Sequence, residues 1–123
     1  MIEGQCLCGA VRYVYMAQLE QSIVCFCLHC RQAQGALFGW NSPIEQAKFK
    51  IRQGEHLLKA YFHTPNKARV FCMNCGSPLY SYRLDLPGVL RLRLGSVTSG
   101  MLPAPKELAY TQYQPDFICI AEE

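Results

Sequence analysis

Cys72-Met73-Asn74-Cys75-Gly76 and Cys6-Leu7-Cys8-Gly9 stand far apart in the chain yet share one plan: two closely spaced cysteines with glycine after the second. A tight turn points both sulfurs to the same side, so each pair suits one metal ion better than a disulfide between its own members. The trailing glycine lets the backbone fold around the ion and aim N–H groups at sulfur. Together Cys6, Cys8, Cys72 and Cys75 supply the four thiolates of a tetrahedral structural zinc site, which would tie the N-terminal strand to the middle of the chain. Four free buried cysteines are the competing reading, and paired spacing with glycine behind each pair speaks against it.

A third group, Cys25-Phe26-Cys27-Leu28-His29-Cys30, offers three thiolates within six residues. Three protein ligands with a fourth position open are the mark of a catalytic zinc. Zinc with three thiolates carries one net negative charge, which makes it a weak Lewis acid towards water. It suits a soft fourth ligand such as a substrate thiol. Cys25, Cys27 and Cys30 are therefore both metal ligands and the candidate catalytic group. The alternative is a second structural site, closed by His29, Cys119 or another residue. The expectation is two zinc ions per chain, one structural and one catalytic and more labile.

The rest of the composition fits this picture. The chain has 123 residues, one ordinary domain spanning 1–123, with half its residues hydrophobic and 17% charged. That argues against disorder and allows a core that does not depend on metal alone. No apolar run approaches the roughly 20 residues of a membrane span. The start, Met1-Ile2-Glu3-Gly4-Gln5, lacks the basic and apolar regions of a signal peptide. The expected compartment is the cytoplasm, where thiols stay reduced and eight cysteines need a reason other than disulfides. The formal charge of +3 does not argue for nucleic acid. Two zinc ions add four positive charges and seven thiolates remove seven, which leaves the loaded protein close to neutral.

Short alternating runs predict a mainly β protein. Strands are expected over Ala10–Tyr15, Ser22–Phe26, Leu37–Trp40, Phe49–Ile51, Leu57–Phe62, Ala68–Phe71, Leu79–Tyr82 and Val89–Leu94, the last with Arg91 and Arg93 outward. One helical turn is expected at His29–Gln34, ended by Gly35. Ser42-Pro43-Ile44-Glu45 reads as a helix start, with serine at the cap, proline in the first turn and glutamate three residues on. Leu102–Pro105 reads as irregular and Phe117–Ile120 as a possible last strand.

These residues resemble the family of glutathione-dependent formaldehyde-activating enzymes, which also takes in the centromere protein V group. The resemblance is carried by Gly4-Gln5-Cys6-Leu7-Cys8-Gly9-Ala10-Val11-Arg12-Tyr13, by Cys25 to Arg31, by Gln34-Gly35-Ala36-Leu37-Phe38, and by Phe71-Cys72-Met73-Asn74-Cys75-Gly76-Ser77-Pro78-Leu79-Tyr80. It implies a β-tent (Mss4-like) fold of short antiparallel sheets, a structural zinc on Cys6, Cys8, Cys72 and Cys75, and a catalytic zinc on Cys25, Cys27 and Cys30. The implied activity is that of a carbon–sulfur lyase read in reverse, joining glutathione and formaldehyde into S-hydroxymethylglutathione. Two features depart from the family. Phe26 stands where histidine is common. The C-terminal stretches Lys106-Glu107-Leu108-Ala109-Tyr110 and Pro115-Asp116-Phe117 lack the usual histidine and tryptophan.

Among other residues, Arg31 follows the three-cysteine group directly and is a candidate for a substrate carboxylate, with a plain surface arginine as the alternative. His29, inside the turn, reads as exposed rather than as acid, base or ligand. Lys67 and Arg69 read as solvated strand residues. Phe38 and Trp40 read as core, and Cys119 as a small buried hydrophobe. Three functions follow. The first is a zinc lyase acting on a small thiol adduct such as that of glutathione. The second is a non-catalytic zinc-stabilised binding module. The third is a thiol-based redox or electrophile sensor built on the Cys25 group.

Overall fold

Strand alternation decides which side of each segment is buried, and two sheets result. In the computed structural model, residues 1–120 are described. The strands are β1 (Ile2–Gln5), β2 (Arg12–Tyr15), β3 (Ser22–Cys25), β4 (Gly39–Glu45), β5 (Phe49–Gln53), β6 (Leu58–Thr64), β7 (Lys67–Cys72), β8 (Pro78–Arg83), β9 (Val89–Arg93), β10 (Val97–Ser99) and β11 (Pro105–Ala109). The α-helix among the described residues is α1 (Leu28–Gln34). A four-stranded sheet runs β10-β1-β2-β5, and a seven-stranded sheet runs β11-β3-β4-β9-β8-β7-β6. This is the expected mainly β architecture with its cysteine groups at the turns.

The core lies between the sheets. Ile2, Val11, Tyr13, Tyr15 and Phe49 come from the four-stranded side, and Ile44, Leu79, Leu90, Leu92 and Leu94 from the other. Phe49 is the link between them. Its ring centroid lies 5.2 Å from that of Tyr13 and 5.3 Å from that of Tyr80. Aromatic pairs at such spacings add about 0.5–1.5 kcal/mol beyond area burial. Tyr13, 2% exposed, keeps its hydroxyl satisfied on Ser96 Oγ at 2.6 Å.

Four local expectations are corrected. Ser42-Pro43-Ile44-Glu45 starts no helix and is the second half of β4. Ser42 is fully buried, and its hydroxyl donates to the Gln21 carbonyl at 2.6 Å instead of capping a turn. Ile44 meanwhile packs into the core. A short 3₁₀ turn at Gln46–Lys48 is all the helix that follows. Leu102–Ala104 is irregular as expected, but Pro105 begins a strand: β11 pairs in parallel with β3, so the sheet is mixed rather than purely antiparallel. Phe117–Ile120 forms no strand. The segment curls on itself through Ile118 N–H to Pro115 O and Gln114 Nε2 to Ile118 O, which leaves Phe117 77% exposed and Cys119 exposed rather than buried.

The fourth correction bears on function. Arg93 alternates away from the core as expected, yet it is only 5% exposed. Paired strand residues share a face, so the register Arg69–Ser81–Arg91 across β7, β8 and β9, and Asn41–Arg93 and Gly39–Cys25 across β9, β4 and β3, define the outer face of the large sheet. That face is not open to solvent at this end. Ala33 and Gln34 of α1 stand over it together with Arg69 and Arg93.

Candidate metal centres

The first cysteine group is built from two turns of different sheets. Cys6 and Cys8 lie in the β1–β2 turn, closed by Gly9 N–H to Cys6 O at 3.1 Å and Cys6 N–H to Val11 O at 3.1 Å. Cys72 and Cys75 lie in the β7–β8 turn, closed by Gly76 N–H to Cys72 O at 2.7 Å and Cys72 N–H to Ser77 O at 3.0 Å. Gly9 and Gly76 have φ of 76° and 82°, the left-handed conformation expected of a glycine behind a metal knuckle. The four Sγ atoms lie within 4.8 Å of one another. Cys6 to Cys8 is 3.5 Å and Cys8 to Cys72 is 3.9 Å. A tetrahedral zinc with bonds of about 2.3 Å separates its sulfurs by about 3.8 Å, so these residues fit the ion.

The sulfurs are also supplied with donors. Val11 N–H reaches Cys6 Sγ at 3.3 Å, Asn74 Nδ2 reaches Cys8 Sγ at 3.2 Å, and Ser77 Oγ lies 3.2 Å from Cys75 Sγ. The Ser77 hydroxyl, followed by backbone N–H groups, lowers the Cys75 thiol to about 5. The Asn74 amide lowers Cys8, while burial raises Cys72 to about 11. A group that shares negative charge unequally among its sulfurs and surrounds it with N–H and O–H donors is prepared for a cation. Leu7 N–H donates to Ser77 Oγ at 2.8 Å, so the two turns are joined even apart from the sulfurs.

The second group sits where β3 hands over to α1. Cys25 ends β3. Cys27 is the N-cap of α1, and its sulfur accepts from Cys30 N–H at 3.3 Å. Gly35 closes the helix with φ 61°. Phe26, between the first two cysteines, points away from them. It is fully buried and meets Phe38 edge-on at 5.7 Å. The three Sγ atoms lie within 4.8 Å of one another, with Cys25 and Cys30 buried and Cys27 half-buried. This group could hold a metal as well. Among the described residues, no fourth His, Cys, Asp or Glu completes it, neither His29 nor Cys119. Gly39 of β4 presses against it so closely that an added Cβ would lie 3.2 Å from Cys30 Cβ.

The surroundings of this group are cationic. The Cys25 thiol hydrogen-bonds towards Cys30 and is raised by that bond and by burial, whereas Cys30 is lowered to about 4 by the same bond, then by Cys27 and the Arg69 guanidinium. Arg69 is half-buried, not solvated as its sequence position suggested, and Lys67 is lowered by burial and by its neighbour Arg69. His29 is exposed, as expected, and its ring lies 5.1 Å from that of His63. Burial lowers His63, followed by Arg69. Arg31 is half-buried and lines an open depression with Leu28, Gln32 and Leu37.

Arg69, Arg93 and His63 are the site neighbours that sequence reading passed over. The available signal was Lys67 and Arg69 on one strand and Arg91 and Arg93 on another, with no acidic residue in either strand. What covers that face is set by α1, which sequence spacing alone does not place.

A family model described as glutathione-dependent formaldehyde-activating enzyme matches residues 1–113. Among solved structures, the chain is similar to the crystal structure of a Rhodobacter sphaeroides protein, a Northeast Structural Genomics target. The likeness has a TM-score of 0.65 and 23% identity, and covers 82% of this chain and 91% of that one. At that identity it bears on the fold alone. No curated protein matches the chain.

Proposed function

The chain belongs to the glutathione-dependent formaldehyde-activating enzyme family, and from that membership we propose that it is a zinc-dependent carbon–sulfur lyase acting on a small thiol adduct. Glutathione with formaldehyde is the leading pair. The observation that carries this reading is the contrast between the two cysteine groups, one with four sulfurs and one with three. A zinc ion on Cys25, Cys27 and Cys30 supplies a soft Lewis acid with one position for a substrate sulfur. Cys6, Cys8, Cys72 and Cys75 hold the structural ion in this proposal.

The chain's own residues do the rest. Cys30 and Cys27 are held in place by the helix cap, and Cys25 by the end of β3. Gly39 packs directly against Cys30 and leaves no room for a side chain of its own there. Arg31, next to Cys30 on α1, is assigned a substrate carboxylate at the open rim. In the overall reaction a C–S bond forms between the thiol sulfur and the aldehyde carbon, and the thiol proton ends on the aldehyde oxygen. The lyase direction reverses both. Among the described residues, no helix is long and apolar enough to cross a membrane.

Two measurements test this. Elemental analysis of protein never exposed to chelator should give two zinc ions per chain, with the second partly lost on prolonged dialysis. One zinc or none would contradict the division of seven cysteines into two sites. In cobalt-substituted protein, glutathione should increase the thiolate-to-cobalt absorption at the three-cysteine site, and calorimetry in buffers of different ionisation heat should show proton release. An unchanged spectrum together with no heat of binding would replace the lyase reading with a non-catalytic binding module.

A further inference from the structure

At the end of α1, the helix that carries Cys27 at its cap and Cys30 in its first turn, lies a cavity of about 220 Å³ whose charged lining residues are Arg69 and Arg93. Both have a buried Nη1 with no hydrogen-bond partner. Arg93 is 95% removed from solvent, and its Nη2 donates to Ser81 Oγ at 2.8 Å, so one edge of the fork is fixed and the other is left over. An unpaired buried donor on a charged group is costly, more so beside a second cation. The ion pairs among the described residues, Lys48–Glu45 and Arg83–Asp85, lie elsewhere. Arg91 nearby finds only the Asn41 side-chain oxygen, at 3.5 Å.

Balancing the cysteine group does not account for this much positive charge. A zinc-loaded group of three thiolates carries one net negative charge, which one guanidinium offsets, and Arg93 with its free Nη1 remains. The wall also includes Tyr61, Phe71, Pro78 and Tyr80 with Gln34. A small cavity with apolar walls and two guanidinium groups, each with an unpartnered Nη1, suits a planar anion, which guanidinium binds through two parallel hydrogen bonds. Its volume is below the roughly 300–1,000 Å³ of sites that enclose a drug-sized ligand, so it holds one end of a molecule rather than the whole.

We propose that Arg69 and Arg93 form a carboxylate subsite, so that the substrate is a thiol acid with its sulfur at Cys25-Cys27-Cys30 and a carboxylate in the cavity. This rests on the thiol reading above and adds the anion requirement. Arg93 pairs with Asn41, two residues along β4 from the Gly39 that presses on Cys30, so sulfur and carboxylate are a few bonds apart. Arg31, at the open rim, is then left for a second, more distant carboxylate.

The test is calorimetry on zinc-loaded protein with three probes: 3-mercaptopropionate, 2-mercaptoethanol and propionate. The thiol acid should bind at least about tenfold more tightly than the neutral thiol, the difference a charged hydrogen-bonded pair makes. Arg69→Met should remove that preference, read as the ratio of the two thiols' affinities in the same variant. Arg93→Lys, which keeps charge but loses the fork, should weaken 3-mercaptopropionate in a variant less exposed to folding defects. Equal affinity for the two thiols overturns the carboxylate subsite and leaves the thiol reading standing. Arginine-dependent binding of propionate with no binding of 2-mercaptoethanol does the reverse. No detectable binding of either carboxylate overturns the subsite outright.

Discussion

Cys72→Ser is expected to lower the melting temperature by about 10–20 °C, whereas Cys27→Ser should lower it by no more than about 5 °C and remove activity. Cys72 is fully buried at the end of β7, with its sulfur 3.9 Å from that of Cys8 in the other sheet. Ion binding by this group is therefore also the docking of the two sheets. Structural zinc in small peptides contributes about 10–16 kcal/mol of folding free energy. A chain with its own core retains part of its stability when one of four ligands goes. A loss of about 3–5 kcal/mol gives the stated shift for a domain of this size. Cys25, Cys27 and Cys30 are contained in β3 and the start of α1, so a metal there closes no long loop. Serine at this N-cap position can still accept from Cys30 N–H, so the stability loss at Cys27 is small. Melts of both variants, with zinc content measured on the same samples, check the contrast. Equal losses would mean that the two groups do not divide into structural and catalytic roles.

Both cysteine groups were legible because spacing alone predicts convergence: a CxC or CxxC turn brings its sulfurs together whatever the rest of the chain does. Gly9, Gly35 and Gly76, each with positive φ, were legible for the same local reason. Failures came where a distant partner decides the outcome. Ser42 has the chemistry of a cap, but β9 and the Gln21 carbonyl claim its segment for the sheet. Pro105 closed a run expected to be irregular and instead begins β11, because the edge of β3 takes up the segment in parallel. Arg93 alternates outward on β9 as read, but outward means solvent only where nothing lies on the sheet, and α1 lies there. Cys119 looked apolar by its neighbours Phe117 and Ile118, yet the segment turns back on itself before any strand can take it up.

Gly54→Ala is expected to cost about 2–4 kcal/mol and to loosen the four-cysteine metal site without touching the other. Gly54 turns β5 into the following 3₁₀ turn with φ 80°, a conformation that costs a residue with a Cβ about 1 kcal/mol by itself. The rest of the penalty is steric. An added Cβ would run into the carbonyl oxygen of Ala10 and sit 2.9 Å from its carbonyl carbon and 3.0 Å from Val11 Cα. All three are backbone atoms, so no side-chain rotation relieves the contact. The Ala10–Val11 backbone must move, and it is the strut of the first knuckle. The N–H of fully buried Val11 donates to Cys6 Sγ at 3.3 Å, and the Gln53 amide holds the Ala10 carbonyl at 3.1 Å from the same side as the clash. Gly88→Ala is the control. It has φ 85° but nothing within 4 Å of an added Cβ, so it carries the conformational cost alone. Chelator competition should therefore strip metal faster from Gly54→Ala than from the parent at the Cys6-Cys8-Cys72-Cys75 site, with Gly88→Ala unchanged. A melting temperature for Gly54→Ala equal to that of Gly88→Ala would show that the β1–β2 turn gives way freely and does not govern how this site is held.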